Sequence, residues 1–305
     1  MTERPPIHKA GFVAVLGKPN VGKSTLVNTL LQQKVAAVSP RPQTTRKRQL
    51  GILTLDEAQV IFIDTPGIHE PRHKLGESML QEAVDTLSEC DLILMMVDAS
   101  LPLESEDHQL VEMLERIKGR IPILLVINKI DRLDPADLPQ RQSEYANLVP
   151  GAVPVAVSST RGDGIANLLQ AIIDRLPENP DFFPPDQITD LYEREIAADL
   201  IREAALLLLR DEVPHGIAVR IDQYLERGEE GAYIEATLFV EREAHKGIVI
   251  GQGGAMLKEI GSAARRQIEE MSGRKVYLRL RVKVRKHWRN DEEFIRWFGY
   301  KRSKR

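Results

Sequence analysis

The chain has a single cysteine, Cys90, in 305 residues, so no internal disulfide can form. That suits a reducing compartment. It also lacks any apolar run of bilayer length. The longest, at 92–97 and 121–127, fall far short of the ~20 residues a spanning helix needs and read as buried strands. The first ten residues carry charge and two prolines but no apolar run of signal-peptide length. A cytoplasmic location is therefore expected. Charge of one sign is scarce overall. Lys and Arg number 42 against 45 Asp and Glu, a net charge of −3, so the overall charge does not mark the chain as a polyanion binder, though the average hides an asymmetry. Repeats and low-complexity tracts are missing as well.

What is present is an alternation. Apolar runs at 12–16, 60–63, 92–97, 123–127 and 153–157 alternate with helix-length segments at 22–33, 75–87, 104–118, 137–148 and 165–176. Near-continuous apolar strands between helices predict an α/β domain, a mixed, mainly parallel sheet with helices on both faces, over 11–176. One antiparallel edge is expected where 51–55 turns at Asp56 and Glu57 into 59–63. Pro177, Pro180, Pro184 and Pro185 mark a stiff interdomain linker over 177–189. A helix from Asp190 with Thr189 as N-cap follows, then strands at 217–222 and 233–240, a glycine-interrupted helical pair and a strand at 276–284. This predicts a smaller α+β domain over 190–299, between an N-terminal extension (1–10) and a basic tail (300–305).

The strongest local signal is Gly17-Lys18-Pro19-Asn20-Val21-Gly22-Lys23-Ser24, followed by Thr25, a G-x-x-x-x-G-K-S loop between a strand and a helix. Such a P-loop wraps phosphates with backbone N–H groups, brings a lysine (Lys23) to the β- and γ-phosphate oxygens and sets a hydroxyl (Ser24) on Mg²⁺. Asp64-Thr65-Pro66-Gly67 ends a later strand. There Asp64 can hold Mg²⁺ through water, and the Gly67 N–H can meet the γ-phosphate. Asn128-Lys129-Ile130-Asp131 ends another. The Asp131 carboxylate accepts two hydrogen bonds that guanine N1–H and N2 supply and adenine cannot, which selects GTP over ATP. The last two motifs are common alone, but with the P-loop they make three in order, each at the C-terminal end of a strand, and that combination is not common.

A second signal lies in the C-terminal third. Gly251-Gln252-Gly253-Gly254 stands between two helical segments and resembles the G-x-x-G loop of KH domains, which clamp about four nucleotides of single-stranded RNA. The motif is weak by itself. Gly228-Glu229-Glu230-Gly231 also matches, but it is acidic, lies between strands and reads as a hairpin turn. The second copy is flanked by Lys246, Lys258, Arg265 and Arg266. Its inner positions are Gln252 and Gly253, so phosphate contacts must come from backbone or from those flanking cations. In the last strand Val276, Leu278, Leu280, Val282 and Val284 alternate with Tyr277, Arg279, Arg281, Lys283 and Arg285. Thirteen Lys or Arg between 274 and 305 face only Asp291, Glu292 and Glu293, a phosphate-binding footprint. His287 and Trp288 receive no role, since a Trp in a short terminal helix is more often core.

Gln43-Thr44-Thr45-Arg46, the D-T-P-G-I at 64–68 and the C-terminal domain together resemble the Era family of ribosome-associated GTPases, over 11–299. The resemblance implies Mg-dependent hydrolysis of GTP, with Lys23, Thr45 and Gly67 at the γ-phosphate and Ser24, Thr45 and, through water, Asp64 around the metal. It makes Ser158-Ser159-Thr160 the loop whose backbone meets guanine O6, with Ser159 where the family usually has alanine. It implies RNA from the 3′ end of small-subunit (16S) ribosomal RNA and a part in maturing the small subunit. It further implies a monomer, and, as proposed for this family, peripheral contact with the inner face of the cell membrane. Two departures bear on rate. Ile68 stands where many switch GTPases place a water-orienting glutamine, and Pro19 stands where glycine admits an arginine finger. Slow intrinsic hydrolysis without an arginine-finger activator is expected. Asn20 matches an asparagine that holds potassium in related GTPases, or it only shapes the loop. The rival readings are a constitutive RNA-binding protein with a structural nucleotide, and a metabolic P-loop kinase, against which N-K-x-D and the switch threonines argue.

Overall fold

The computed structural model describes residues 8–300 except 40, 42–43, 69–70, 72, 88, 118–120 and 227–230. Gln43, the turn expected at 228–231 and the tail 301–305 thus lie wholly or largely outside the described residues. The chain forms two compact units. The first is Met1–Gln33, Thr45–Glu70 and Met79–Asp190; the second is Lys34–Thr44, Pro71–Ser78 and Leu191–Arg305.

The apolar runs of the first unit become strands β1 (Lys9–Gly17), β3 (Ala58–Asp64), β4 (Leu92–Asp98), β5 (Ile123–Asn128) and β6 (Val153–Ala156), with β2 (Gln49–Thr54) at the edge. The sheet order is β2-β3-β1-β4-β5-β6. All neighbours run parallel except β2 and β3, whose antiparallel pairing the short turn at Asp56 dictates. Every residue of β3 and β4 is buried, as expected for strands covered on both faces. Each large apolar side chain so enclosed contributes about 1.5–3 kcal/mol. Helices α1 (Lys23–Leu31), α2 (Lys74–Thr86), α3 (Ser105–Ile117), α4 (Leu138–Leu148) and α5 (Ile165–Ile173) match the expected segments.

The proline-rich segment is laid along this unit. Gln59, fully buried, donates to the Phe183 carbonyl (2.8 Å) and accepts from the N–H groups of Phe182 (2.8 Å) and Phe183 (3.0 Å). Ile52 N–H donates to Ile188 O at 2.9 Å, and Leu50 N–H to Asp190 Oδ1 at 2.9 Å. Thr189 forms a bridge with Gly51 and is not a helix cap. The next helix, α6 (Glu193–Leu208), starts later, at Tyr192, whose N–H donates to Glu195 Oε2 at 3.1 Å.

The second unit holds α6, β7 (Ala218–Glu226), β8 (Ala232–Val240), α7 (Glu243–Ile250), α8 (Ala255–Ser272), β9 (Val276–Val284) and α9 (Glu292–Trp297). Its sheet runs β7-β8-β9, with β8 antiparallel to β7 and parallel to β9. Ile201 and Ala205 of α6, Val249 of α7, and Ile260, Ala264 and Ile268 of α8 pack on Ile234, Ala236, Leu238, Leu278, Leu280 and Val282. All three helices therefore cover one face of the sheet. Trp288 is fully buried, its indole N–H donating to Gly216 O at 2.8 Å, which makes it core.

Candidate nucleotide site and nucleic-acid surface

The C-terminal ends of β1, β3, β4 and β5 lie side by side, which brings Gly17, Asp64, Asp98 and Asn128 to one edge of the sheet. The loop after β1 needs its glycines. Gly22 has φ +106°, and a Cβ there would stand 2.4 Å from Asn128 Nδ2. A Cβ on Gly67 would stand 2.8 Å from Pro19 Cα, and the Ile68 N–H donates to Gly17 O at 3.1 Å, so this loop rests directly on the P-loop. Thr65 anchors it with a hydroxyl bond to Val15 O at 2.7 Å. Pro66 is buried beside it.

Lys23 lies inside the loop, its ammonium donating to Gly17 O (3.1 Å) and Lys18 O (3.0 Å). Burial lowers its pKa to about 8, against the pull of the Asp64 charge. Ser24 Oγ is 2.6 Å from Asp64 Oδ2 and 2.8 Å from Thr45 Oγ1, and Thr45 Oγ1 is 3.3 Å from the same carboxylate oxygen. Two hydroxyls and a carboxylate converging this closely form the hard oxygen set that Mg²⁺ takes. Among the described residues no cluster of His, Cys, Asp and Glu offers another metal position.

On the base side the structure separates residues that the motif grouped. Asp131 Oδ1 accepts the Ser158 hydroxyl at 2.7 Å, and this bond, helped by the Arg161 and Arg132 charges, holds the carboxyl below the usual range. It is thus ionised, as an acceptor for N1–H and N2 must be. Thr160 Oγ1 lies 3.3 Å from the same serine hydroxyl. Asn128, by contrast, is spent on the protein. Its Nδ2 donates to Val21 O (2.8 Å), and its Oδ1 accepts Ser159 N–H (3.0 Å) and Ser159 Oγ–H (2.9 Å). Ser159 in place of alanine adds that third bond. Lys129 pairs with Asp98 (2.5 Å) and donates to Asn20 O (2.6 Å), where Asn20 has φ +66°. Lys18 pairs with Glu104 and the buried Asp107, both at 2.8 Å. Sequence reasoning missed Asp98, Glu104 and Asp107; for Asp98, an acid ending β4 as Asp64 ends β3 was the available hint.

In the second unit the G-x-x-G loop joins α7 to α8. Gly251 (φ +73°) is tight, a Cβ there falling 2.7 Å from Met256 Cβ, whereas Gly253 and Gly254 meet nothing within 4 Å. Gln252 is exposed beside them. Lys246 on α7 and Lys258 and Arg265 on α8 make no ion pair among the described residues. Arg279, Arg281 and Lys283 do not join them. They alternate with the core residues of β9 and so project from the sheet face opposite the helices. Glu235 pairs with Arg279 (3.2 Å) and Arg281 (2.9 Å). Arg285 pairs with Asp291, Arg289 with Glu241 and Arg274 with Glu193, so much of the basic cluster is neutralised from within.

Residues 12–129 match the family model described as 50S ribosome-binding GTPase, and 212–289 match the KH domain model. The chain is similar to Era in a crystal structure with MgGDPNP and nucleotides 1506–1542 of 16S ribosomal RNA, at 42% identity over 96% of this chain and 99% of that one, TM-score 0.91. It is likewise similar to a variant of Aquifex aeolicus Era bound to GDP.AlF4−, at 43% identity over 96% and 99%, TM-score 0.90.

Proposed function

Because the chain belongs to the Era family of GTPases, we propose that it couples GTP hydrolysis to binding the 3′ end of 16S ribosomal RNA and acts in small-subunit assembly and maturation. The observation that supports this reading is the presence in one chain of a P-loop beside the ionised Asp131 of an N-K-x-D motif and an open G-x-x-G loop flanked by cations that make no ion pair among the described residues. The proposed division follows the sequence: 11–176 for nucleotide, 190–299 for RNA.

Within the first site the backbone of 17–25 takes the phosphates and Lys23 supplies positive charge. Ser24 and Thr45 would hold Mg²⁺ directly and Asp64 through water, and the ion would supply positive charge to the phosphates. The Gly67 N–H meets the γ-phosphate. Asp131 reads guanine, the Ser158-Ser159-Thr160 backbone meets O6, and Asn128 and Lys129 hold these loops to the P-loop. Asn20 is the residue we assign to a potassium ion beside the phosphates, a charge that substitutes for the excluded arginine finger. Lys246, Gly251, Gln252, Gly253, Gly254, Lys258 and Arg265 form the RNA clamp, and the chain works as a monomer.

Multiple-turnover hydrolysis, with and without a single-stranded fragment of the 16S 3′ end, tests this. RNA affinity is expected to differ between GTP-analogue and GDP forms by on the order of 1–3 kcal/mol, about 5–150-fold. Identical affinities would remove the coupling.

A further inference from the structure

The segment Lys34–Thr44 runs from α1 toward Thr45, and it belongs to the second unit. Two charged residues of α6 hold it. Glu203 is 3% exposed, and its Oε1 takes the Lys34 ammonium at 2.8 Å while its Oε2 takes the Val38 N–H at 2.9 Å. Arg202, 4% exposed, donates to the Thr44 carbonyl and pairs with Asp199 at 3.2 Å. Arg41 donates to Leu209 O at the end of the same helix at 2.5 Å. A carboxylate and a guanidinium buried side by side are costly unless fully bonded, so such a pair is retained where its geometry matters. The bonds engage the segment near its start, middle and end, and the last falls on the residue before Thr45.

Glu203 has one further partner. Gln267 of α8 donates to its Oε1 at 3.1 Å. α8 is the helix that begins at the G-x-x-G loop. One carboxylate is therefore bonded both to the segment that precedes Thr45 in the chain and to the helix that starts at the G-x-x-G loop.

We infer that Arg202 and Glu203 are positioning residues for Thr45, and that Gln267 links their setting to α8. This rests on the reading of Thr45 as the switch threonine that meets Mg²⁺ and the γ-phosphate. GDP binding does not use that threonine's γ-phosphate contact, so loosening the clasp should spare GDP and slow hydrolysis. The effect belongs in kcat, because the P-loop, Lys23 and Asp131 remain to bind the nucleotide.

Glu203→Gln keeps the size of the side chain but loses the charge that Lys34 requires. In the full chain it is expected to lower kcat for GTP about tenfold, with KM, GDP affinity and affinity for a 16S 3′-end RNA fragment each within about twofold. Lys34→Ala, on the outer side of the clasp, is expected to lower kcat severalfold, and Lys34→Arg to restore it. Gln267→Met is expected to leave basal kcat alone and reduce its response to RNA. An unchanged kcat in Glu203→Gln overturns the proposal. If that variant does not fold, Lys34→Ala decides: a lowered kcat that Lys34→Arg restores supports the clasp, and an unchanged one overturns it. Thr45→Ala is run alongside; full activity there would defeat the reading of Thr45 itself, separately from the clasp.

Discussion

The two units reach their ligands by opposite means. In the first, almost every polar group near the site is already bonded to protein: Asn128 three times, Lys129 twice, Lys18 to two carboxylates. The loops are tied together by these bonds, and the proposed selectivity would rest on one ionised carboxylate, Asp131, held by Ser158. In the second, the loop glycines at 253 and 254 stand in open space, and the flanking Lys246, Lys258 and Arg265 make no ion pair among the described residues. Preorganised hydrogen bonds suit a small rigid base, whereas exposed charge beside open backbone suits a flexible polyanion whose affinity is largely electrostatic.

The contrast breaks most sharply at Asp131. Asp131→Asn should lose the acceptor pair for guanine and prefer xanthine nucleotides, a change in selectivity of ~10⁴ or more. Competition between GTP and XTP for the variant measures it; unchanged preference for GTP would take base reading away from Asp131. Next in size is Gly253→Asp. Its φ of +59° is one aspartate tolerates, and no atom lies where the new Cβ would go, so the fold should survive. An anion facing the RNA phosphates should cost more than about tenfold in RNA affinity, about 1.4 kcal/mol, with GTP binding intact. Equal binding by parent and variant would place RNA elsewhere.

The smallest effect concerns Lys23. Its folded pKa lies near 8, below the ordinary 10.5, because burial penalises its charge. Between those values the unfolded chain binds more protons than the folded one, so this group adds stability as pH rises through that window and adds none below it. Phosphate anions should raise the pKa again. Binding GTP at pH 8 should therefore take up about half a proton, which calorimetry in buffers of different ionisation enthalpy would detect. No uptake would mean that Lys23 is fully charged before the nucleotide binds.

Much of this was legible in the sequence because motif and strand end coincide. Runs such as 92–97 are apolar at every position, which only a doubly covered strand needs, and the chemistry begins where each run stops. Two kinds of information were not legible. The alternation in β9 separates a core face from a basic face but says nothing of which face lies toward the G-x-x-G loop, so Arg279, Arg281 and Lys283 were grouped with Lys258 although the sheet separates them. Arg202 and Glu203 read as ordinary surface charges on an amphipathic helix. They are bonded to Lys34, Val38 and Thr44, and helical periodicity carries no trace of a covering segment.

The strap at 177–190 has a consequence for what the nucleotide unit is by itself. β2 ends the sheet, and its outward N–H groups at Leu50 and Ile52 are satisfied by Asp190 and Ile188. A fragment stopped at Leu176 would keep all six strands and every nucleotide motif, yet present that row of donors bare, as an open template for a second chain to zip onto. The end of the segment that reads as a stiff linker in sequence, Ile188 to Asp190, serves as a selvedge, and cutting before it would leave a fragment prone to stick to itself.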